Sequence, residues 1–341
     1  MLYSLARTAL FRLDPEAAHD LALKSLAALR PGMALLASPP AVSESRQVMG
    51  LEFPNPVGLA AGLDKNGEYI DGLAALGFGF LEIGTVTPRP QPGNAKPRMF
   101  RLVGHEAIIN RLGFNNDGVE KLVANVARAR FRGILGINIG KNFDTPIERA
   151  ADDYLACLEA VYAAASFVTV NISSPNTHNL RDLQSPEHLA HLLAAVMARR
   201  DALAERHGAV KPIAVKIAPD LDDEQVAAIA RLAIDNRVDA LIATNTTVSR
   251  EEIAGDPLSG EAGGLSGRPL FRRATSVLAR LHKALKGRIP IIGVGGILSG
   301  ADAHAKIDAG ASLVQVYTGF IYRGPALVAE ARKALAWRSA K

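Results

Sequence analysis

From about residue 50 onward, short apolar runs rich in Val and Ile alternate with helical stretches. The runs fall at 57–61, 80–86, 134–139, 167–172, 212–217, 240–244, 289–294 and 312–317. Continuous apolar runs separated by helices predict parallel strands buried on both faces. Eight such units without an extra strand predict closure into a (β/α)8 barrel of the TIM type. The competing arrangement is an open doubly wound sheet. It needs a Gly-rich fingerprint after the first strand and an acid closing the second, and neither is present.

Two segments break the rhythm. About fifty residues separate the second and third runs, opening on Thr87-Pro88-Arg89-Pro90-Gln91-Pro92-Gly93 and holding β-like pieces at 99–103 and 107–110. An insertion of this length is expected to cover a site. The other segment is residues 1–40. Asp14-Pro15-Glu16 is a helix start, with a capping acid and proline at the first helical position. The helix carries Ala18, Leu21, Ala22 and Leu29 on one side and is expected to end near Pro31-Gly32. A shorter helix before it holds Leu2, Leu5, Ala9 and Leu10. The pair has more apolar surface than one stripe needs. Packing on the main domain explains this most simply; an interfacial contact or the mouth of an apolar tunnel is the alternative. The expected division is a helical extension over 1–40 and a barrel over 41–341.

Composition narrows the function classes. The 341 residues are 48% hydrophobic and 21% charged, a globular balance. Cys157 is the only cysteine, so one chain can build neither a disulfide framework nor a thiolate zinc site, which fits a reducing compartment. The 39 basic and 34 acidic residues leave +5, without a basic run interleaved with aromatics, so nucleic acid is not an expected partner. No apolar stretch reaches the roughly 18 residues of a membrane span. Arg7 and Arg12 interrupt any signal-peptide core, and a cytoplasmic location is expected.

In such barrels the chemistry lies at the C-terminal strand ends. Here these read Ala61-Gly62-Leu63-Asp64-Lys65, Gly84-Thr85, Asn138-Ile139-Gly140-Lys141, Asn171-Ile172-Ser173-Ser174-Pro175-Asn176, Lys216, Thr244-Asn245-Thr246, Gly293-Val294-Gly295-Gly296 and Tyr317-Thr318-Gly319. Nearly all end in an amide, hydroxyl or ammonium group. Gly295-Gly296 and Gly319 follow the seventh and eighth strands, the usual phosphate site of the fold, and Gly263–Gly267 reads as a second small-residue loop. Lys65 and Lys216 suit either a Schiff base or a fixed positive charge. Asn110, Asn171, Asn176 and Asn245 suit a planar ligand with alternating C=O and N–H groups. They make a poor metal site, and no metal is expected; His188 and His191 fall on a helix, where surface positions are usual.

These residues resemble the dihydroorotate dehydrogenase family, in its membrane-associated, quinone-reducing class. The resemblance runs over essentially the whole chain. It rests on AAGLDKNGE (60–68), IGTVTPRPQPGN (83–94), INRLGFNN (109–116), INIGKN (137–142), NISSPNT (171–177), VKIAPD (215–220), TNTT (244–247), GGLSGRPL (263–270) and IIGVGGI (291–297). The resemblance implies oxidation of dihydroorotate to orotate in pyrimidine synthesis, with FMN as hydride acceptor and a membrane quinone as final acceptor. It implies FMN contacts at Ala61, Gly62, Leu63, Asp64, Lys65, Thr85, Asn138, Asn171, Lys216 and Thr244, and phosphate contacts at Gly267, Gly296, Tyr317 and Thr318. Substrate contacts carry over to Lys65, Asn110, Arg111, Leu112, Gly113, Phe114, Asn171, Asn176, Asn245 and Thr246. Ser174 stands where the family keeps its catalytic base. The cysteine-using class has Cys there, whereas Cys157 precedes the fourth strand and reads as a small buried hydrophobe. Lys216 would stabilise the anionic reduced flavin. His19, Arg101 and Tyr317 fall where the family contacts quinone, which raises the tunnel reading of residues 1–40.

The class further implies peripheral attachment to the cytoplasmic side of the inner membrane and a monomer or weak dimer. Leu112 and His178 depart from residues common in the family. An FMN barrel that passes electrons to fumarate or NAD is the second hypothesis, against which the N-terminal helices argue. A catalytically silent membrane scaffold is the third, against which the filled strand ends argue.

Overall fold

The structure, a computed structural model, describes residues 2–33 and 44–336. The division expected at 40/41 lies outside them. The barrel strands are β1 (Val57–Leu59), β2 (Phe80–Val86), β3 (Ile134–Ile139), β4 (Phe167–Asn171), β5 (Ile213–Ile217), β6 (Ala240–Ala243), β7 (Ile291–Val294) and β8 (Leu313–Val316). They pair in parallel in sequence order, and β8 returns to β1 to close the barrel. Each lies within its expected run.

Strand alternation decides what fills the interior. Phe80, Phe167, Ala214 and Leu313 form a lower layer, closed by Phe53 edge-on to Phe80 at 5.1 Å. Gly58 and Gly136 are required beside this plug, since a Cβ on either would lie 2.3 Å from the Phe80 or Phe167 ring. Two positions further along the same strands come Glu82, Thr169, Lys216 and Gln315, all buried. The layer beneath the barrel mouth is therefore polar. Phe53 arrives on an antiparallel hairpin of Arg46–Val48 with Leu51–Phe53, too short for the apolar pattern to reveal.

The insertion after β2 forms a hairpin of Met99–Leu102 with Ala107–Asn110. Gly264–Gly267 is its third strand rather than a loop, pairing antiparallel with Ala107–Asn110. Its glycines hide a strand from pattern reading, and the close approach needs them: a Cβ on Gly267 would lie 2.2 Å from the Glu106 carbonyl oxygen. Buried amides fix the cover to the barrel. Asn142 donates to Gln91 at 2.8 Å, Gln91 to the Gly113 carbonyl at 2.9 Å, and Asn116 to Thr87 at 2.8 Å.

The N-terminal helices are α1 (Leu2–Leu10) and α2 (Pro15–Met33), the latter running slightly past its expected end. Asp14 caps α2, accepting from Glu16 and Ala17 N–H, both at 3.0 Å. Ala18 and Leu23 are buried, but Leu21 and Leu29 are exposed, so the expected apolar side does not pack as one stripe. Tyr3 donates to the Ile321 carbonyl at 2.6 Å, and Glu16 receives the buried Arg98 through three hydrogen bonds of 2.9–3.2 Å. No described helix is long and apolar enough to cross a membrane.

Candidate active site

Strand register gathers the polar strand ends. Asn171 pairs beside Lys216, and Asn138 beside Gly84 and Thr169. Above them opens a cavity with an empty volume of about 980 Å³, part of it open to solvent. Its walls include Ala61, Gly62, Lys65, Thr85, Asn171, Ser174, Lys216, Thr244, Gly267, Gly296, Tyr317 and Thr318. Asn110, Leu112, Gly113, Phe114, Asn176, Asn245 and Thr246 line it too. These expected residues, drawn from all parts of the chain, therefore converge.

Four others stand back. Leu63 and Asp64 are buried behind the lining. Asp64 accepts from Glu68 N–H at 2.9 Å and Tyr69 N–H at 2.8 Å, a turn-forming role, and burial raises its carboxyl to about 6. Asn138 supports the lining from below. Arg111 turns its guanidinium outward to Glu261 at 2.6 Å, over the Phe100 ring, and does not line the cavity. The sequence reading passed over Glu82 and Gln315, and gave Ser173 and Ser266 no role of their own. Glu82 and Gln315 carried a signal, being polar residues inside otherwise apolar strands.

The cavity is lined by a connected set of hydrogen bonds. Asn171 Nδ2 donates to Thr85 Oγ1 at 3.0 Å and to Asn138 Oδ1 at 3.2 Å. Asn245 Nδ2 donates to Ser173 Oγ at 3.1 Å, and Asn176 Nδ2 to Asn110 Oδ1 at 3.1 Å. Ser174 is buried, and its Oγ accepts from the Asn176 N–H at 3.2 Å. Asn176 Oδ1 and Thr177 Oγ1 are buried without a protein partner. A buried polar atom without a partner costs about 1–3 kcal/mol, so such atoms point to a ligand or water that satisfies them.

Two ammonium groups face this cavity. Burial, then the Arg98 guanidinium, push Lys65 down to about 7, and its Nζ donates to Asn115. Burial also lowers Lys216, while the Glu82 carboxylate pulls it back. At the opposite rim the backbone approaches closely at glycines. Gly296 has φ +78°, and a Cβ there would lie 2.4 Å from Phe271 Cα. Thr318 Oγ1 donates to Ser266 Oγ at 2.8 Å beside it.

A second cavity lies under the N-terminal helices, with an empty volume of about 1020 Å³. Phe11, Ala18, Ala22, Leu26, Leu73 and Phe320 are among its mostly apolar walls. His19, Arg101 and Tyr317 all border it, and Tyr317 also borders the first cavity. Arg101 donates to the Leu10 carbonyl at 3.2 Å and lies 4.8 Å over the Phe11 ring. Burial, then Lys65, lower the His19 imidazole, which favours its neutral form.

Comparison with known proteins agrees with this geometry. A family model described as dihydroorotate dehydrogenase matches residues 44–338. The chain is 66% identical to a dihydroorotate dehydrogenase (quinone) of Chromobacterium violaceum, over 98% of each chain. It is 63% identical to the one of Burkholderia multivorans, over 98% of this chain and 97% of the relative. Among solved structures it is similar to the Eimeria tenella DHODH bound to ferulenol, with TM-score 0.86 and 39% identity, covering 94% of this chain and 90% of that one.

Proposed function

The chain belongs to the dihydroorotate dehydrogenase family, and we propose that its barrel mouth holds FMN against dihydroorotate while the apolar cavity admits the quinone. The enzyme oxidises dihydroorotate to orotate in pyrimidine biosynthesis and passes the electrons to a quinone. The observation that carries the site assignment is the pair of cavities meeting at Tyr317, one edged by amides, hydroxyls and two lysines and holding the unpartnered Asn176 and Gln315 oxygens, the other almost wholly apolar.

The residues present fit FMN. The glycine rim leaves backbone close to a phosphate, with N–H groups of Gly267, Gly296, Tyr317 and Thr318 as its donors. Ala61, Gly62, Thr85, Asn171, Lys216 and Thr244 would hold the ring system, with Leu63, Asp64 and Asn138 bracing that wall from behind. When bound, FMN would supply a hydride acceptor for the substrate and an electron donor for the quinone. Lys216 is a preorganised charge facing negative charge that develops during reaction.

Lys65 meets the substrate carboxylate, and Asn110, Asn176, Asn245 and Thr246 hold its ring amides. Leu112, Gly113 and Phe114 close the covering side. Ser174 takes the proton from the ring carbon beside the substrate carbonyl. A serine hydroxyl is a weak base and needs activation. The Asn176 N–H donated to Oγ stabilises the negative charge that develops there as the serine's own proton passes to solvent water.

Quinone is favoured over fumarate or NAD because the second cavity is apolar and ends at His19, Arg101 and Tyr317. Exposed Leu5, Leu13, Leu21 and Leu29 on and between α1 and α2 suit peripheral attachment at a membrane, on its cytoplasmic side. The test of the catalytic assignment is Ser174→Ala. It is expected to retain FMN and to slow flavin reduction by dihydroorotate at least ~10²-fold in stopped flow. Near-normal reduction would reject Ser174 as the base.

A further inference from the structure

Glu82 lies in the middle of β2 without exposed surface. A carboxylate inside a barrel is costly unless its oxygens are satisfied. Oε1 accepts from Asn138 Nδ2 at 2.6 Å, and Oε2 accepts from the Gln315 amide. An ionised carboxylate only accepts, so both amides must turn their NH2 groups toward it. The consequence propagates outward. Asn138 is left with Oδ1 facing the mouth, where it accepts from Thr85 Oγ1 at 2.5 Å and from Asn171 Nδ2 at 3.2 Å. Asn171 Oδ1 then faces the far side, accepting from Ser173 Oγ at 3.2 Å and Asn245 Nδ2 at 3.4 Å. Asn245 Oδ1 in turn accepts from the Thr246 N–H at 2.8 Å. Every link donates toward Glu82. A buried acceptor ends the chain on one side and a backbone donor on the other, so it has one direction.

We infer that Glu82 is a positioning residue that sets the donor and acceptor direction of the amide chain across the barrel mouth. It thereby fixes which atoms Asn171, Asn245 and Gln315 present to flavin and substrate. Gln315 shows the effect directly: with its NH2 held by Glu82, its Oε1 has no protein partner, and the residue borders the cavity. The same carboxylate faces Lys216 electrostatically, so one buried group governs both polarity and charge there.

The inference rests on the flavin and dihydroorotate reading of the cavity, and the experiment separates the two. A flavin spectrum in the native holoenzyme tests the reading alone. Glu82→Gln then tests the inference. The isosteric amide offers one acceptor where two amides donate, so one NH2 must face another donor. Adding Asn138→Asp restores the pattern: the new amide donates to the new carboxylate, its oxygen still accepts from Gln315, and the other carboxylate oxygen still accepts from Thr85 and Asn171. Net charge returns as well.

Glu82→Gln is expected to raise the dihydroorotate KM and the FMN dissociation constant at least ~10-fold, about the effect of one mispaired buried hydrogen bond. The double variant is expected to recover both to within about threefold of native, the residue of an imperfect double-mutant cycle. Native KM and FMN binding in Glu82→Gln would overturn the inference, and so would a double variant as impaired as the single. If the single variant does not fold, the double still decides: a soluble flavin-bound protein supports the inference and an insoluble one overturns it.

Discussion

Lys65 meets its charge requirement against its surroundings. Burial and then Arg98 push its ammonium down to about 7, so in the free enzyme the cation is present below that pH and lost above it. The dihydroorotate KM is therefore expected to climb as pH rises from 7 to 9, up to about tenfold per unit once the free group is neutral. Lys65→Met should show a high KM without this slope. A flat KM in the native enzyme would exclude Lys65 as the carboxylate's partner. The lysine itself was legible, since it closes a glycine-bearing strand end. Its weakened charge was not, because Arg98 comes from the covering insertion and meets it only in the fold. Arg111 teaches the converse: it stands in a site motif, but its side chain answers to Glu261, 150 residues away.

At the scale of elements, the junction of α2 with the cover rests on Glu16. Burial opposes its carboxylate, but the hydrogen bonds and charges of Arg98 and Lys96 outweigh this and lower its pKa. A lowered folded pKa means the contact stabilises above the unfolded value of 4.5 and is lost as pH falls through the folded one. Acid well below pH 4.5 is accordingly expected to release α1 and α2 before the barrel opens, seen as early loss of amide-exchange protection over 2–33. Glu16→Ala should do the same at neutral pH, weakening the docking by about 1–3 kcal/mol as Arg98 loses its carboxylate. Uniform protection across helices and barrel would show that the junction does not rest on this pair. Quinone access should follow the same element. His19→Ala is expected to raise the quinone KM about tenfold, near 1.4 kcal/mol, while flavin reduction by dihydroorotate stays native. An unchanged quinone KM would remove His19 from that route.

For the molecule as a whole, the exposed leucines give membrane attachment a direct test. Leu5→Asp with Leu21→Asp should remove on the order of 3 kcal/mol of apolar burial, and so about a hundredfold of affinity for anionic vesicles. Native flotation by this variant would place the membrane contact elsewhere. The sequence by itself determined the eight strands, their order, the covering insertion and the polar strand ends that meet at the mouth, while Leu112, Gly113 and Phe114 came from the family resemblance. The strands and their ends follow from local rules: apolar runs mark strands, and a barrel sends their ends to one face. Tertiary structure decided what local rules cannot reach. It made a strand of Gly264–Gly267 by pairing it with Ala107–Asn110, set Tyr317 between two cavities, and turned Arg111 away. It also joined Glu82 to Gln315, 233 positions apart. A hydrogen-bond direction depends on partners brought together by closure of the barrel, and no stretch of sequence contains both ends.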